Sequence, residues 1–340
     1  MVRRKDVADA AGVSQAVVSY VMNDTAKRNR ISGATIEKVR KAAARLGYRP
    51  DAYARALRTR KSGIITFITE DLSDPNTTEI TRALGAVVRS RGYGLMLMDL
   101  GGARDVSADD LRSIETSFSE GFFLHVPTGS LMEKCLDDEA LSRPTCVIGR
   151  HLYGGGVPYV EVDNALGAEL AVRHLLKRGA KRLGVITDLE AAPFTVDRME
   201  GVTRALKHSA VNLAVHHRKR SQGQYEAGAA AVRAWRGGAF PDAIFAMGDV
   251  LAIGALHAMR ERGTRCPEDT LMAGFDGISA AQYAGPPLTT VAQPFREMAE
   301  AAMGILTSAL AGKPVRKKQR LLAPRLVVRA SSGGSEGAKT

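Results

Sequence analysis

Cysteine, tryptophan and long apolar runs are scarce or missing in this 340-residue sequence. The three cysteines, Cys135, Cys146 and Cys266, are too few and too far apart for a disulfide framework or a zinc site, so we expect buried thiols. There is no run of about 18 apolar residues, and we therefore expect no membrane span. Val2 is followed at once by three basic residues, which is unlike a secretory leader and predicts a cytoplasmic protein.

The common signatures of catalysis are also missing. The sequence has no GxGxxG after its first strand-like run, no GxxxxGK[ST] and no HExxH. The segment GISAA at 277–281 lacks the second glycine of a nucleophile elbow. His216 and His217 are adjacent, so on a strand they would point to opposite faces and could not bind one ion. We therefore expect no enzyme activity, no catalytic residues, no metal site and no cofactor.

Positive charge is abundant but confined to the start of the chain. Residues 1–61 hold fifteen lysines and arginines against five acids, so this segment carries +10 of the total formal charge of +12. Such a basic segment is typical of a protein that binds a polyanion. A solvated basic surface without a partner is the alternative.

Within the basic segment, residues 6–23 read DVADAAGVSQAVVSYVMN. Apolar spacing predicts a helix from Asp6 to Ala11, a stop at Gly12, and a second helix over 15–22 capped by Ser14. A third helix is predicted over 33–47, with Ser32 as its N-cap. Two short helices joined by a tight corner and supported by a third are typical of a helix-turn-helix unit, although an ordinary helical hairpin shows the same spacing.

From residue 63 onward, short apolar runs alternate with helix-like stretches. This alternation predicts parallel strands covered by helices on both faces. The strands are too numerous for one sheet of usual size, so we expect two similar α/β subdomains, with the chain crossing between them near Asp163 and near Gln293. The last ten residues, SSGGSEGAKT, are typical of a disordered tail and contain no leucine heptads for a tetramer-forming coiled coil.

Ligands of parallel α/β folds bind beyond the carboxyl ends of the strands. The candidate ligand-binding residues that follow predicted strands are Asp71, Asp74, Asp163, Arg198, Asp249, Asp276 and Gln293. Carboxylates and amides in a cleft suit a polyhydroxylated ligand. Three alternatives stay open. Strand-end aspartates such as Asp249 often cap the next helix. Arg198 could pair with Asp197 or Glu200 on the surface. The basic tract at 216–221 either favours an anionic ligand such as a sugar phosphate or is a solvated loop.

Taken together, DVADAAGVSQAVVSYVMN, LGYRPDAYARALRTRKS and the α/β body resemble the lactose-repressor (LacI-type) family of bacterial transcription regulators over roughly residues 3–329. The resemblance implies that the body has the fold of periplasmic binding proteins. It also implies that Asp163, Arg198, Asp249, Asp276 and Gln293 line the effector cleft.

For the N-terminal region, the resemblance implies that Gln15, Ala16 and Tyr20 read base edges and that Ser14, Ser19 and Asn23 contact phosphates. Tyr20 stands where arginine is often found, and a tyrosine cannot make a bidentate contact to guanine. Lys27, Arg28 and Arg30 lie in a loop longer than usual, either as extra phosphate contacts or as a mobile basic loop. Residues 51–58 resemble the family's hinge helix, which would press Leu57 into the minor groove. The remaining predicted DNA-binding residues are Arg3, Tyr53 and Ala54.

We therefore predict a regulator, most simply a repressor, that binds a palindromic operator in double-stranded DNA as a homodimer and responds to a small effector, a sugar or a derivative. It would be cytoplasmic, and nucleoid-associated when bound to DNA. The expected parts are a DNA-binding domain (1–49), a hinge (50–61), a body (62–329) and a tail (330–340). The body divides into an N-subdomain of 62–162 and 293–320 and a C-subdomain of 163–292 and 321–329. A transport-type sugar-binding protein and a ligand-free architectural DNA binder are the main rivals.

Overall fold

The computed structural model describes residues 2–23, 25–48, 61–101, 118–126, 143–150, 157–188, 192–219, 222–235, 240–315 and 319–334. The chain forms two compact units, Met1–Gly63 and Ile64–Thr340. Within the described ranges, no helix has both the length and the apolar character needed to cross a membrane.

The described residues of the first unit form three helices, α1 (Arg4–Ala11), α2 (Gln15–Met22) and α3 (Gly33–Leu46). The prediction for α2, including its Ser14 cap, is confirmed, since Ser14 Oγ accepts the N–H of Val17 at 3.3 Å. Helix α1 begins earlier than predicted because Asp6 is its third residue and not its first. The Asp6 carboxylate accepts the backbone N–H of Arg3 at 2.7 Å, so Arg3 becomes the N-cap.

Two glycines end helices of this unit in the left-handed conformation. Gly12 closes α1 at a φ of 58°, and Gly47 closes α3 at 65°. A Cβ at Gly12 would find space, its nearest neighbour being Lys38 Nζ at 3.5 Å, so the glycine is needed for its backbone angle. The helices enclose a small core centred on Val7, Ala11 and Val18. Eight-residue helices are marginal alone, so this shared core is what stabilises α1 and α2.

The second unit contains two six-stranded sheets. The α-helices within its described ranges are α4 (Pro75–Ser90), α5 (Asn164–Lys177), α6 (Pro193–Leu206), α7 (Gln224–Ala234), α8 (Asp249–Arg262) and α9 (Phe295–Leu310). Its strands are β1 (Ile64–Thr69), β2 (Gly94–Asp99), β3 (Gly121–His125), β4 (Thr145–Ile148), β5 (Tyr159–Val162), β6 (Arg182–Thr187), β7 (Asn212–His217), β8 (Ala243–Ala246), β9 (Leu271–Asp276), β10 (Thr289–Ala292), β11 (Gln319–Leu322) and β12 (Arg325–Val327).

The first sheet has the order β11-β5-β4-β3-β1-β2 and the second β12-β10-β9-β8-β6-β7. The predicted fold class, two α/β subdomains with parallel sheets behind an N-terminal helical unit, is confirmed. One edge strand differs, because β12 pairs with β10 in the antiparallel sense. The chain crosses between the sheets three times, after β5, after β10, and between β11 and β12, since β11 returns to the first sheet.

The sheets are buried between helices, as parallel strands require. Phe67 and Phe123 of the first sheet pack with α4 and α9, and Phe245 and Phe275 of the second sheet pack with α5 and α6. On the other face of the second sheet, α7 and α8 cross so closely at Gly228 that a Cβ there would collide with the backbone oxygen of Leu251.

The predicted disordered tail from residue 330 is wrong for residues 330–334. Ala330–Ser332 forms a 3₁₀ turn in which Ser331 and Ser332 are fully buried. Ser331 Oγ donates to Met272 O at 2.7 Å and accepts the N–H of Thr289 at 2.8 Å. Ser332 Oγ hydrogen-bonds Thr289 Oγ1 at 2.7 Å. Serine-rich composition suggested disorder, but here the hydroxyls satisfy backbone groups at the end of the second sheet. Residues 335–340 lie outside the described residues.

Candidate nucleic-acid interface and ligand cleft

The outer face of α2 is polar and carries no acid. Gln15 and Ala16 are exposed in its first turn, and Tyr20 is exposed one turn later, while Val18 and Val21 are buried. An exposed N-terminal turn of this kind can enter a major groove and place side chains beside base edges. The structure therefore presents all three predicted base-reading residues on one accessible helix.

Ser14, Ser19 and Asn23, the three residues predicted to contact phosphates, already form hydrogen bonds within the first unit. Ser14 Oγ caps α2, and the Asn23 amide donates to Ser19 O at 2.7 Å and to Ser19 Oγ at 3.2 Å. Ser19 and Asn23 are only half-exposed. Their geometry fits residues that cap the two ends of α2. A contact with phosphate would use the same polar groups that form these hydrogen bonds.

The basic residues around α2 are accessible. Lys27, Arg28 and Arg30 are exposed on the turns between α2 and α3, and Arg3 is exposed at the start of α1. Arg30 has a left-handed φ of 55°, so the turn closes through a strained non-glycine residue. The predicted hinge residues Tyr53, Ala54 and Leu57, and all of 51–58, lie outside the described residues.

In the second unit, one buried arginine organises the candidate effector site. Arg198 lies on α6, where its Nε donates to Asn164 Oδ1 at 2.8 Å and its Nη1 to Met247 O at 2.6 Å. Its Nη2 pairs with Asp276 Oδ1 at 3.4 Å, and its guanidinium lies 3.6 Å from the centre of the Phe275 ring. The alternative of a surface pair with Asp197 or Glu200 is wrong, because α6 turns Arg198 inward against β9.

Asp276 is the last residue of β9 and has a strained conformation, with a φ of 113°. Its Oδ1 accepts from Gln293 Nε2 at 2.8 Å as well as from Arg198. Burial raises the pKa of Asp276 to about 6, against the lowering effect of Arg198, and Asp74 raises it further. Gly248 lies beside the other carboxylate oxygen, since a Cβ built on it would be 3.6 Å from Asp276 Oδ2. Because glycine has no side chain, residue 248 does not cover this oxygen.

The two subdomains touch beside this cluster. Gln293 Nε2, which follows β10, lies 3.4 Å from Asn76 Oδ1 on α4. One turn along α4, Glu79 Oε1 accepts the N–H of Ser279 at 3.0 Å and its hydroxyl at 2.5 Å. Helix α4 of the first sheet is therefore linked directly to the loop that follows Asp276 in the second.

Asp249 does not face the cleft. It is fully buried, its Oδ2 accepts the N–H groups of Gly277 and Ile278 at 2.8 and 2.9 Å, and its Oδ1 accepts the hydroxyl of Thr290 at 2.6 Å. The prediction of direct effector contact disagrees with this burial. Asp249 instead fixes the loop after Asp276, and it does not cap α8, whose N-cap is Gly248.

The other three aspartates predicted to bind the effector accept backbone hydrogen bonds in the segments that follow strands. Asp163 Oδ1 caps α5 by accepting the N–H of Leu166 at 2.9 Å, and Asp74 Oδ1 caps α4 by accepting that of Asn76 at 2.9 Å. Asp71 Oδ1 accepts the N–H of Ser73 at 2.7 Å on an exposed turn. Burial raises the pKa of Asp74, with Arg150 opposing the shift and Asp188 adding to it. Asp74 therefore lies within electrostatic reach of the other subdomain.

Sequence reasoning missed several cleft residues. Asp188, directly after β6, pairs with Arg218 at 2.5 Å, which neutralises one cation of the basic tract at 216–221. Phe194 on α6 lies between two guanidinium groups, 5.1 Å from Arg150 and 5.2 Å from Arg198. Asp188 and Arg150 follow strands, and this position at a strand end is the same sequence feature that identified Asp276. The inward turn of Phe194 depends on helix packing, which has no local signal.

Several buried polar atoms near the carboxyl ends of the strands have no hydrogen-bond partner among the described residues. These atoms are Thr69 Oγ1, His125 Nε2, Arg150 Nε and Thr195 Oγ1. Thr69, His125 and Arg150 lie at the carboxyl ends of first-sheet strands, and Thr195 lies in the first turn of α6. Buried polar groups are normally satisfied, so such exceptions are typical of a ligand or water site.

Each of the two units resembles a known protein family. Residues 5–51 match the bacterial regulatory proteins of the lacI family, and residues 172–332 match the periplasmic binding protein-like domain. The HTH-type transcriptional repressor CytR of Escherichia coli (strain K12) is 31% identical over 331 residues, which cover 96% of this chain and 95% of CytR. This chain belongs to the LacI family of bacterial regulatory proteins. Its members are DNA-binding regulators, and the prediction that the chain is not an enzyme is confirmed on that ground.

Other LacI-family proteins show the same whole-chain similarity. The ribose operon repressor of Escherichia coli (strain K12) is 29% identical, covering 98% of this chain and 100% of that repressor. The solved complex of the transcriptional regulator CelR with cellobiose is 26% identical, with a TM-score of 0.69 over 98% of this chain and 100% of CelR. The lac repressor dimer bound to operator and the anti-inducer ONPF is 22% identical and covers 97% of this chain and 99% of its own, with a TM-score of 0.83 that shows the shared fold.

Proposed function

We propose that this LacI-family protein is a ligand-gated repressor that binds a near-palindromic operator as a homodimer and acts on chromosomal DNA in the cytoplasm. The observation that carries the proposal is the polar, acid-free face of α2 on a strongly basic unit, followed by a two-sheet body with a charged cleft. One recognition helix reads too few base pairs to select a site in a genome, so two copies are needed.

At the operator, Gln15, Ala16 and Tyr20 contact base edges. The accessible cations Arg3, Lys27, Arg28 and Arg30 contact phosphates, and Ser14, Ser19 and Asn23 add shorter contacts near α2. The phosphate contacts supply affinity that falls with salt, and the base contacts supply sequence preference. By family resemblance, Tyr53, Ala54 and Leu57 belong to a hinge in which Leu57 wedges into a flexible pyrimidine–purine step at the operator centre.

The effector binds between the two sheets, against Asp74, Arg198, Asp276 and Gln293, and is a sugar or a sugar derivative. CelR, a whole-chain relative in fold, was solved with cellobiose, which supports a carbohydrate ligand here. Asp163 and Asp71 lie at the same sheet edges and border the site. Binding alters the contacts between α4 and the loop after Asp276, and so changes the angle between subdomains and the operator affinity.

The test is fluorescence-anisotropy titration of the full-length protein with the DNA upstream of its own gene and with a scrambled duplex. The titrations are run at two salt concentrations, with and without a series of sugars. We expect tight, sequence-selective binding that one sugar shifts. Equal, strongly salt-dependent binding to both duplexes, with no response to any compound, would favour an architectural DNA-binding protein and contradict the proposal.

A further inference from the structure

The strands of the first sheet all begin at one end, because each neighbouring pair is parallel. Strand β1 pairs with β2 and β3, β3 with β4, β4 with β5, and β5 with β11. Hydrogen bonds join the strand starts, since the N–H of Glu120 donates to Ile64 O at 2.8 Å and that of Phe122 to Pro144 O at 2.9 Å. We call this end the amino-end face; its described segments are 89–93, 118–120, 143–144, 157–158, 311–315 and 319–320.

Two helices also end at the amino-end face. Helix α4 ends at Ser90, shortly before β2, and helix α9 ends at Leu310, shortly before β11. Leu306, in the last turns of α9, packs against the start of β3, because a Cβ built on Gly121 would lie 3.2 Å from Leu306 Cδ2. The residues that follow both helices therefore belong to the same face as the strand starts.

The two ends of the first sheet carry opposite charge. Among the described residues, the amino-end face has one acid, Glu120, and five cations, which are Arg89, Arg91, Arg143, Lys313 and Arg320. The described residues at the carboxyl ends of the same strands include one cation, Arg150, and five acids, which are Glu70, Asp71, Asp74, Asp99 and Asp163. The chain after residue 61 has a formal charge of only +2. Its charges are therefore separated between the two ends of this sheet.

Most cations of the amino-end face are available to a partner. Arg143 is half-buried, donates from Nη1 to Ser119 O at 3.1 Å and lies 5.7 Å from the centre of the Phe122 ring, so it is held within the fold. The other four are exposed, and their side chains form no hydrogen bond or ion pair with any described residue: Arg89, Arg91, Lys313 and Arg320. We refer to these four as the exposed cations of the face.

Helix dipoles account for part of this charge pattern. A cation is favourable at the C-terminus of a helix, where backbone carbonyl groups lack partners. Arg89 lies in the last turn of α4, and Arg91 and Lys313 follow the ends of α4 and α9. Arg320 instead lies within β11 at the edge of the sheet, so a dipole effect does not explain it.

The chain enters the second unit at the amino-end face. This unit begins at Ile64, the first residue of β1, and β1 lies between β2 and β3. Leu57, which we propose to enter the minor groove, precedes Ile64 by seven residues. Seven residues span at most about 25 Å when fully extended. Operator DNA bound at Leu57 would therefore lie within about 25 Å of the start of β1.

We infer that the amino-end face of the first sheet is a second DNA-binding surface, at which the four exposed cations contact backbone phosphates of the DNA that the first unit holds. The inference rests on the proposed function and adds a contribution of the body to operator affinity. Arginine and lysine contacts to phosphates carry no sequence information, so this surface raises the affinity for any duplex. Salt screens charges over about 8 Å at physiological ionic strength, so only cations close to the DNA contribute.

The test compares the full-length wild type with three variants in anisotropy titrations, using the DNA upstream of its own gene and a scrambled duplex at about 50 and 200 mM salt. The neutralised variant combines Arg89→Gln, Arg91→Gln, Lys313→Gln and Arg320→Gln. The charge-conserving variant combines Arg89→Lys, Arg91→Lys, Lys313→Arg and Arg320→Lys. The control removes the same charge from exposed lysines of the other subdomain, by Lys177→Gln, Lys181→Gln, Lys207→Gln and Lys219→Gln.

The neutralised variant should bind both duplexes more weakly than wild type and by the same factor, because phosphate contacts do not depend on sequence. Each lost contact should reduce the slope of log K against log salt by about 0.9. If two contacts are lost, the deficit relative to wild type should shrink about tenfold between about 50 and 200 mM salt. The charge-conserving and control variants should match wild type in affinity and slope. Melting temperatures of the same samples show that the variants are folded.

An unchanged salt slope in the neutralised variant overturns the inference and leaves the face to a partner other than DNA. Equal losses in the neutralised and control variants also overturn it, because the overall charge of the body would then be responsible. A loss in the charge-conserving variant as large as in the neutralised one overturns it by assigning the four residues to packing. If wild type shows no preference for the upstream DNA, the proposed function fails at its DNA-binding step, whereas the salt slopes still decide the inference.

Discussion

Arg198 and Asp276 form a buried ion pair whose removal should have an effect that depends on pH. Arg198→Met keeps an unbranched apolar stem, but the hydrogen bonds to Asn164 and Met247 are lost and Asp276 loses its cation. Removing one partner of a buried pair typically costs about 3–5 kcal/mol, because the other charge stays buried. Arg204→Met on the same helix is the matched control, since its pair with Glu200 is exposed to solvent and should contribute little to stability.

The sign of the pH effect follows from the pKa of Asp276. Burial raises it to about 6 in the folded protein, and Arg198 opposes that rise, so Arg198→Met moves it higher still. A raised carboxyl pKa costs stability as the pH rises from the ordinary value of 3.8 through the folded value. Each added unit costs about 1.4 kcal/mol at high pH. We therefore expect Arg198→Met to be more destabilising at pH 8 than at pH 5.

The assay is urea unfolding followed by fluorescence of Trp235, the only tryptophan of the sequence, which packs with the second sheet. Asp276→Asn should remove most of the pH dependence, and the double variant Arg198→Met with Asp276→Asn should be more stable at pH 8 than Arg198→Met alone. Equal costs at both pH values, or strictly additive effects of the two substitutions, would refute the assignment of a coupled buried pair.

Further expectations concern the DNA-binding unit and the C-terminal turn. In anisotropy titrations, Tyr20→Ala should relax the operator preference at one or two base positions. Arg28→Ala should instead weaken binding to all duplexes alike and flatten the salt dependence. If the two outcomes were exchanged, the assignments of Tyr20 to bases and Arg28 to phosphates would be reversed. Gly12→Ala should destabilise the first unit by about 1–2 kcal/mol, read from amide exchange, and unchanged protection would contradict a requirement for the left-handed φ. Truncation after residue 329 should lower the urea midpoint of the Trp235 transition, whereas truncation after 334 should leave it unchanged, because Ser331 satisfies groups of the second sheet.

Local chemistry was enough to predict the helices of the first unit and the fold class. Ser14 and Gly12 act on backbone groups within a few residues of themselves, so a cap and a stop are readable along the chain. Alternating strand and helix patterns likewise indicate parallel sheets, because each strand must be buried on both faces. The resemblance to LacI-type regulators rested on the same local motifs, and the whole-chain similarity to CytR agrees with it.

Tertiary structure decided which polar side chains face the cleft. Asp249 and Asp276 both stand at strand ends, yet Asp249 is buried against the backbone of Gly277 whereas Asp276 is bound by Arg198 and Gln293. The unpartnered nitrogen of His125 depends on its register beside Thr69 and on a carbonyl of the next strand. Sequence therefore determined the elements and the family, since these depend on neighbouring residues and repeated patterns. The composition of the site depends on contacts between strands and helices far apart in the chain, which only the folded arrangement brings together.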